Sequence, residues 1–178
     1  RGIELSLTST NIQKKNFTWD TNFNISFIRN ELKSLASGVD EMFAHSGFDT
    51  SGFTQYDYIA RVGESLGLIY GYEFDGIYQA SDFYMTPNGG YVLKEGITSN
   101  ARYNNGRLVP GAVKYKDQDG DGMITTNDRT IIGHALPKWY GGITNNFTFY
   151  GVDFSFMFQF NYGNDVYNST RLYATQTH

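Results

Sequence analysis

The 178 residues are enough for one domain or for a piece of something larger. A formal net charge of −4 without any basic run argues against a nucleic-acid surface, and a cysteine count of 0 excludes a disulfide framework. Aromatics make up 17% of the chain, with 14 Tyr and 14 Phe against 3 Pro, which favours strands over helix bundles. No apolar run approaches the length of a membrane helix, and none is expected to act as a signal peptide. Arg1-Gly2-Ile3-Glu4-Leu5 already reads as strand, so the chain is expected to be an excerpt from a longer protein.

Ile3, Leu5 and Leu7 alternate with Glu4, Ser6 and Thr8, the period-two signature of a strand. Asn11 to Asn16 reads as a short turn. Phe17, Trp19, Phe23, Ile25 and Phe27 then alternate with Thr18, Asp20, Asn22, Asn24 and Ser26, and Thr21 is the weak member of the apolar face. This run matches a tilted strand that crosses a bilayer, ~9–11 residues. Its Asn/Ser/Thr/Asp face suits a hydrated lumen. The middle, 29–137, opens with a segment from Asn30 to Leu35 that fits a brief helical turn or a strand end. It continues loop-like from Gly38 to Tyr56 and then reads as short Gly- and aromatic-rich strands from Val62 to Tyr78, with turn signals at Asn88-Gly89-Gly90 and Asn104-Asn105-Gly106.

The stretch 117–128 carries the clearest chemistry. Asp117, Asp119 and Asp121 alternate at its first, third and fifth positions, so their carboxylates can converge on a hard cation. Gly122 sits at the sixth position, where the chain must turn. Met123 would give its backbone carbonyl, Thr125 would act through water, and Asp128 would close the site where an EF-hand has Glu. Ile124 is free to enter a core. The expected cofactor is one structural calcium ion; the alternative is an acidic, Gly-rich surface turn that binds nothing. Flanking helices, as in a true EF-hand, are not supported.

The end returns to strands. Ile143, Phe147 and Phe149 alternate with Thr144, Asn146 and Thr148. After Tyr150-Gly151 come Val152, Phe154, Phe156, Phe158 and Phe160, alternating with Asp153, Ser155, Met157, Gln159 and Asn161. A two-residue hairpin at Tyr150-Gly151 would pair Phe149 with Val152, Phe147 with Phe154, Thr148 with Asp153 and Asn146 with Ser155, keeping like faces together. Short turn, long region, short turn is the loop pattern of outer-membrane barrels, whose long loops are extracellular. The competing fold is a soluble β-sandwich, but a strand face made almost wholly of Phe leaves no small residues for interlocking sheets.

Val62-Gly63-Glu64-Ser65-Leu66-Gly67, Tyr70-Gly71-Tyr72 and Asp75-Gly76-Ile77-Tyr78 resemble a segment of the SusC/RagA-type TonB-dependent outer-membrane transporters. Pro110-Gly111, Lys114-Tyr115, Asp119-Gly120-Asp121-Gly122 and Asp128-Arg129-Thr130-Ile131-Ile132-Gly133 resemble another, continued by Pro137-Lys138, Tyr140-Gly141-Gly142, Asn145-Asn146-Phe147 and Gly163-Asn164-Asp165-Val166-Tyr167-Asn168. Ala112, Ser65, Asp119 and His134-Ala135-Leu136 depart from the family pattern. The resemblance implies a bacterial outer-membrane location and an all-β fold. This chain would be a fragment of a large antiparallel transmembrane barrel of about twenty-two strands. It would comprise two barrel strands in 1–28, an extracellular loop region in 29–137, a barrel hairpin in 138–162 and the start of the next extracellular loop in 163–178. It further implies import of oligosaccharides or peptides, and a SusD-like surface lipoprotein as lid. Energy would come from TonB-ExbB-ExbD, contacted through an N-terminal part beyond this chain. The walls would face outer-membrane lipid, and the transporter–lid pairs could associate as a homodimer.

A second function class is a soluble calcium-stabilised glycan-binding or adhesion module. The two readings separate on Phe154, Phe156, Phe158 and Phe160: one exposed lipid face in the first, a sheet–sheet core in the second. An enzyme is not expected. Gly63-Glu64-Ser65-Leu66-Gly67 matches a nucleophile elbow, but that motif needs a helix after it and Leu68 to Tyr72 reads as strand. His45 and His134 read as loop residues, and the four glycosylation sequons as chance matches.

Overall fold

The computed structural model describes residues 1–45, 56–100, 108–168 and 170–171. The chain divides into two compact units, one of Arg1–Ile69 with Gly133–His178, the other of Tyr70–Ile132.

Four long strands dominate the first unit: β1 (Gly2–Lys14), β2 (Phe17–Ile28), β11 (Trp139–Phe149) and β12 (Val152–Tyr162), in the order β1-β2-β11-β12 and all antiparallel. The β11–β12 register is the expected one, with Phe149 opposite Val152, Phe147 opposite Phe154 and Asn146 opposite Ser155. Tyr150 and Gly151 both have positive φ (48° and 83°), as in the primed two-residue turns whose twist matches that of the flanking strands. The expected turn from Asn11 to Asn16 is corrected. β1 runs on to Lys14, and a bulge between Thr10 and Ile12 absorbs Asn11 and disturbs the period-two pattern. The Tyr150 N–H donates to the Asn16 carbonyl at 3.0 Å, so the two tight turns lie side by side at one end of the sheet. At the other end, Phe27 stands opposite Trp139.

The sheet has two unlike faces. Cross-strand hydrogen bonds knit the polar one: Thr8 to Asn22 (2.9 Å), Thr10 to Asp20 (2.6 Å), Thr148 to Asp153 (2.7 Å) and Ser155 to Asn146 (2.7 Å), the hydroxyl donating each time. Aromatic rings tile the apolar face: Phe147 lies against Trp19 and Phe156 at 5.7 and 6.0 Å between centroids, and Trp139 stacks on Tyr162 at 5.2 Å. Gly141 permits the closest approach in the sheet. A Cβ there would fall 2.2 Å from the Asn24 carbonyl oxygen and 3.0 Å from the Phe160 ring, and that ring covers the side-chain-free spot.

Further short strands form a second sheet. β3 (Glu41–Ala44) pairs with β4 (Tyr58–Arg61), and β4 with the start of β5 (Leu68–Tyr72); β10 (Arg129–His134) completes the order β10-β5-β4-β3. Ile59, Leu68 and Ile69 are buried there. β3 is a correction to the loop-like reading of Gly38 to Tyr56, of which 46–55 lie outside the described residues. Asn30 to Leu35 carries neither a helical turn nor a strand.

In the second unit, β6 (Phe74–Ile77) pairs with β9 (Val113–Tyr115), and β7 (Phe83–Met85) with β8 (Tyr91–Leu93) around the expected Asn88-Gly89-Gly90 turn. The Asn104-Asn105-Gly106 signal lies outside the described residues. Tyr78, Phe83 and Ile124 are the buried apolar residues of this unit, and Asn100 and Asp128 are its buried polar ones. The Tyr78 hydroxyl donates to the Thr98 carbonyl and the Asn100 amide to the Val113 carbonyl, so these buried polar groups are paired. β10 leaves the acidic loop directly, and the Arg129 guanidinium sits over the Tyr70 and Tyr72 rings at 4.7 and 5.8 Å.

Candidate metal centre and membrane-facing wall

The acidic loop joins β9 to β10 with no α-helix on either side; its last residues, Thr126–Asp128, form a single 3-10 turn capped by Thr125. Its start is tied down by Gln118, whose side chain donates to Glu73 at 2.9 Å while Lys116 meets the same carboxylate at 3.2 Å. Its middle is pinned by Ser99: the Ser99 N–H donates to the Gly122 carbonyl, and the Ile124 N–H to the Ser99 carbonyl. That two-sided bridge drives Ile124 into the core, where it is 1% exposed, as the sequence pattern predicts.

Each aspartate turns its carboxylate towards loop amides. Asp117 accepts from Gly120 and Gly122 (2.6 and 2.8 Å), Asp119 from Asp121 (3.2 Å), and Asp121 from Met123 (2.7 Å). Gly122 has φ +83°, the left-handed conformation its position demands. Asp128 is fully buried and accepts from the Gln118 and Thr125 amides, both at 2.7 Å. Burial pushes its carboxyl up, but the amides of Thr125, Gln118 and Asp119 and the Thr125 hydroxyl outweigh that and hold it below the usual aspartate range. Its contribution to stability is therefore complete above the ordinary aspartate pKa and is lost as pH falls through the lowered one.

One oxygen each from Asp117, Asp119 and Asp128 lies within 4.8 Å of the others. Oxygens bound to one calcium at about 2.3–2.6 Å can be no further apart than about 5 Å, so this set fits a single ion. Asp121 is not in that group. Met123 lies in the Ser99 bridge with its side chain exposed, and the Thr125 hydroxyl accepts from the Asn127 amide at 3.1 Å as a cap. The structure thus brings the carboxylates of Asp117, Asp119 and Asp128 together and leaves that of Asp121 outside the group. Spacing along the sequence does not reveal the second task of Asp128, holding both ends of the loop through amide bonds.

The apolar sheet face remains exposed: Ile3, Leu5, Phe154 and Phe158 are 71, 57, 61 and 62% accessible. A face of that extent does not suit water. From the row of Phe17 and Phe149 to the row of Phe27 and Trp139 is ten residues, about 33 Å along a strand and about 25 Å along the normal at barrel tilt, the height of an outer-membrane apolar band. Trp139 and Tyr162 mark one border of the band, and Trp19 and Tyr150 lie towards the other, as aromatic girdles do. The Phe rows therefore line an outward surface, not a sandwich core. Gly63 to Gly67 lies between β4 and β5 with a strand following it, so no nucleophile elbow forms. His134 closes β10 instead of lying in a loop, its N–H donating to Asp165 at 2.8 Å.

No protein-family model matches the chain. It is 37% identical over 187 residues to the TonB-dependent receptor P39 of Formosa agariphila, covering 94% of the chain and 17% of that receptor. The receptor P3 of the same organism is 36% identical, over 97% of the chain and 16% of the receptor. The TonB-dependent receptor SusC of Bacteroides thetaiotaomicron is 25% identical, over 93% and 14%. Among solved structures, the RagAB peptide importer in its open-open state superposes with a TM-score of 0.57 at 16% identity, over 92% of this chain and 14% of that one. The chain belongs to the TonB-dependent receptors of the SusC/RagA type. It spans about a sixth of the length of the curated receptors it matches. These relatives are receptors and not enzymes, and this receptor segment is all-β outer-membrane barrel wall with further strands inserted between β2 and β11.

Proposed function

We propose that this receptor segment forms wall and outer rim of a TonB-driven importer of oligosaccharides or peptides, closed by a SusD-like lipoprotein. What carries the reading is the pair of hairpins that share one lipid-suited face and one hydrogen-bonded polar face while a long region runs between them. The polar face would line the lumen. It holds a shallow concavity of about 550 Å³ lined by uncharged groups, among them Asn24, Tyr140, Thr144, Gln159 and Asn161, suited to neutral solutes or to packing within the barrel. The region 29–137 would stand outside the cell, and β7 and β8 offer exposed Tyr84, Met85 and Val92 to a lid. The solved neighbour described as the RagAB peptide importer supports the peptide part of this reading. In cells expressing the full-length receptor, labelled oligosaccharide or peptide should accumulate only when TonB is present. Uptake unchanged in a TonB deletion would refute the importer.

The same reading includes a structural calcium ion on Asp117, Asp119 and Asp128, with Asp121, the Met123 carbonyl and Thr125 completing the shell directly or through water. The ion would join the start of the loop to its exit at β10. Adding calcium to chelated receptor should lower protease cleavage within 117–128 by about tenfold, with half-saturation in the range of about 10⁻⁴–10⁻³ M set by extracellular modules. Equal cleavage with and without calcium would leave the loop a metal-free turn.

A further inference from the structure

We propose that a hydrogen-bonded chain on the lipid-facing side, running through Ser9, Asn11, Thr21, Asn145 and Trp19, fixes the register of the seam between β2 and β11. This goes beyond the importer reading and concerns how the wall is assembled. A hairpin's register is set by its turn, and β1–β2 and β11–β12 each have one. No turn joins β2 to β11; Phe27 and Trp139, opposite each other at one end of the seam, are separated by the whole region between the two strands. Alternation of apolar and polar residues rejects a one-residue slip there, because every side chain would change face. It does not reject a slip of two, which keeps each face intact.

The apolar face breaks its own pattern once on each strand. On β2 the weak position is Thr21; on β11 it is Asn145; the two are directly opposite. Asn145 is only 8% exposed, and its Oδ1 accepts from the Thr21 hydroxyl at 2.7 Å and from the Trp19 indole at 2.9 Å. The β1 bulge supplies Asn11, whose amide donates to Thr21 at 2.6 Å and whose own oxygen accepts from Ser9 at 3.0 Å. Three strands are thereby tied at one level. A two-residue slip would set Asn145 opposite Trp19 or Phe23 and Thr21 opposite Phe147 or Ile143. The Thr21 hydroxyl would then lose its acceptor across the seam and the Asn145 oxygen its Thr21 donor, inside hydrocarbon where water cannot replace them. The same slip would move Gly141 away from Ile25 and bring a residue with a Cβ, Trp139 or Ile143, to the tightest contact of the seam.

Disulfide trapping in the full-length receptor in the outer membrane tests this, since the segment has no cysteine of its own. Asn22→Cys with Thr144→Cys reports the native register, and Asn22→Cys with Asn146→Cys a slip of two. With Asn145 and Thr21 intact, the native pair should cross-link at least tenfold more than the slipped pair. Asn145→Leu should raise slipped-pair cross-linking at least fivefold and Thr21→Val at least twofold. Thr144→Cys with Met157→Cys, held by the β11–β12 turn, should not change in either background. Slipped-pair cross-linking that stays at its starting level in both variants overturns the proposal. If Asn145→Leu does not reach the membrane, Thr21→Val decides by the same criterion.

Discussion

Asp128→Ala is expected to release the acidic loop at both ends, at a cost of about 3–5 kcal/mol to the local structure. The side chain is fully buried, and the two amides it accepts from belong to Gln118 near the loop entrance and Thr125 near its exit. Truncation leaves those donors, the Asp119 amide and the Thr125 hydroxyl facing a hole, and each unsatisfied buried donor costs about 1–3 kcal/mol before water partly relieves it. Asp121→Ala should lose far less, about 0.5–1.5 kcal/mol, because that carboxylate is exposed and caps the Met123 amide at the loop surface. Hydrogen exchange on the full-length receptor separates the two variants. Amides 118–125 should exchange much faster in Asp128→Ala and slightly faster in Asp121→Ala, with β11 and β12 unchanged. Wild-type exchange at Gln118 and Thr125 in Asp128→Ala would show that the ends of the loop are held by something else.

Phe158→Arg should destabilise the barrel by about 2–4 kcal/mol, the penalty for a cation near the bilayer midplane. Phe158 faces outward opposite Ile143, in the fourth of six rows between the turn end and the Trp139 end, with Phe156 5.4 Å away. Its neighbour Gln159 faces the other way, so Gln159→Arg puts the same charge on the polar side and should cost within about 0.5 kcal/mol. Equilibrium unfolding of the receptor in lipid vesicles measures both. Equal losses for the two substitutions would mean that the faces are assigned wrongly.

Local pattern makes much of this wall legible in the amino-acid sequence. β12 can be read residue by residue, and its register against β11 follows from matching Phe to Phe and Ser to Asn across a two-residue turn. The far end of β1 is hidden because Asn11 followed by Ile12 breaks the alternation, and a bulge leaves no other mark in sequence. β3 is hidden because Glu41–Ala44 is too short to display a period. The β2–β11 seam is invisible for a different reason: two strands separated by a long insertion share no local signal. A trace of it does exist, since Thr21 and Asn145 each interrupt an apolar face, yet only pairing makes the two interruptions one feature. In the acidic loop, spacing identifies the carboxylates that can share a cation, because ligand geometry is periodic along a turn. It does not show that Asp128 is sealed from solvent, which depends on the folded loop bringing the Gln118 and Thr125 amides onto its carboxylate.

Phe27 and Trp139 stand opposite one another as the chain leaves the wall and returns to it, so the gap to be bridged is about 5 Å whatever lies between. The entropy of closing such a gap rises by only about 0.6 kcal/mol for each doubling of the bridging length. Enlarging, trimming or exchanging the intervening region therefore changes little for the strands that flank it. Selection can rework the region between β2 and β11 of such a receptor as a single cassette spliced at one point, while the apolar rows of the flanking strands answer only to the membrane. Engineers could use the same splice point, joining Ile28 to Lys138 through a foreign region, to display new recognition surfaces on an unchanged barrel.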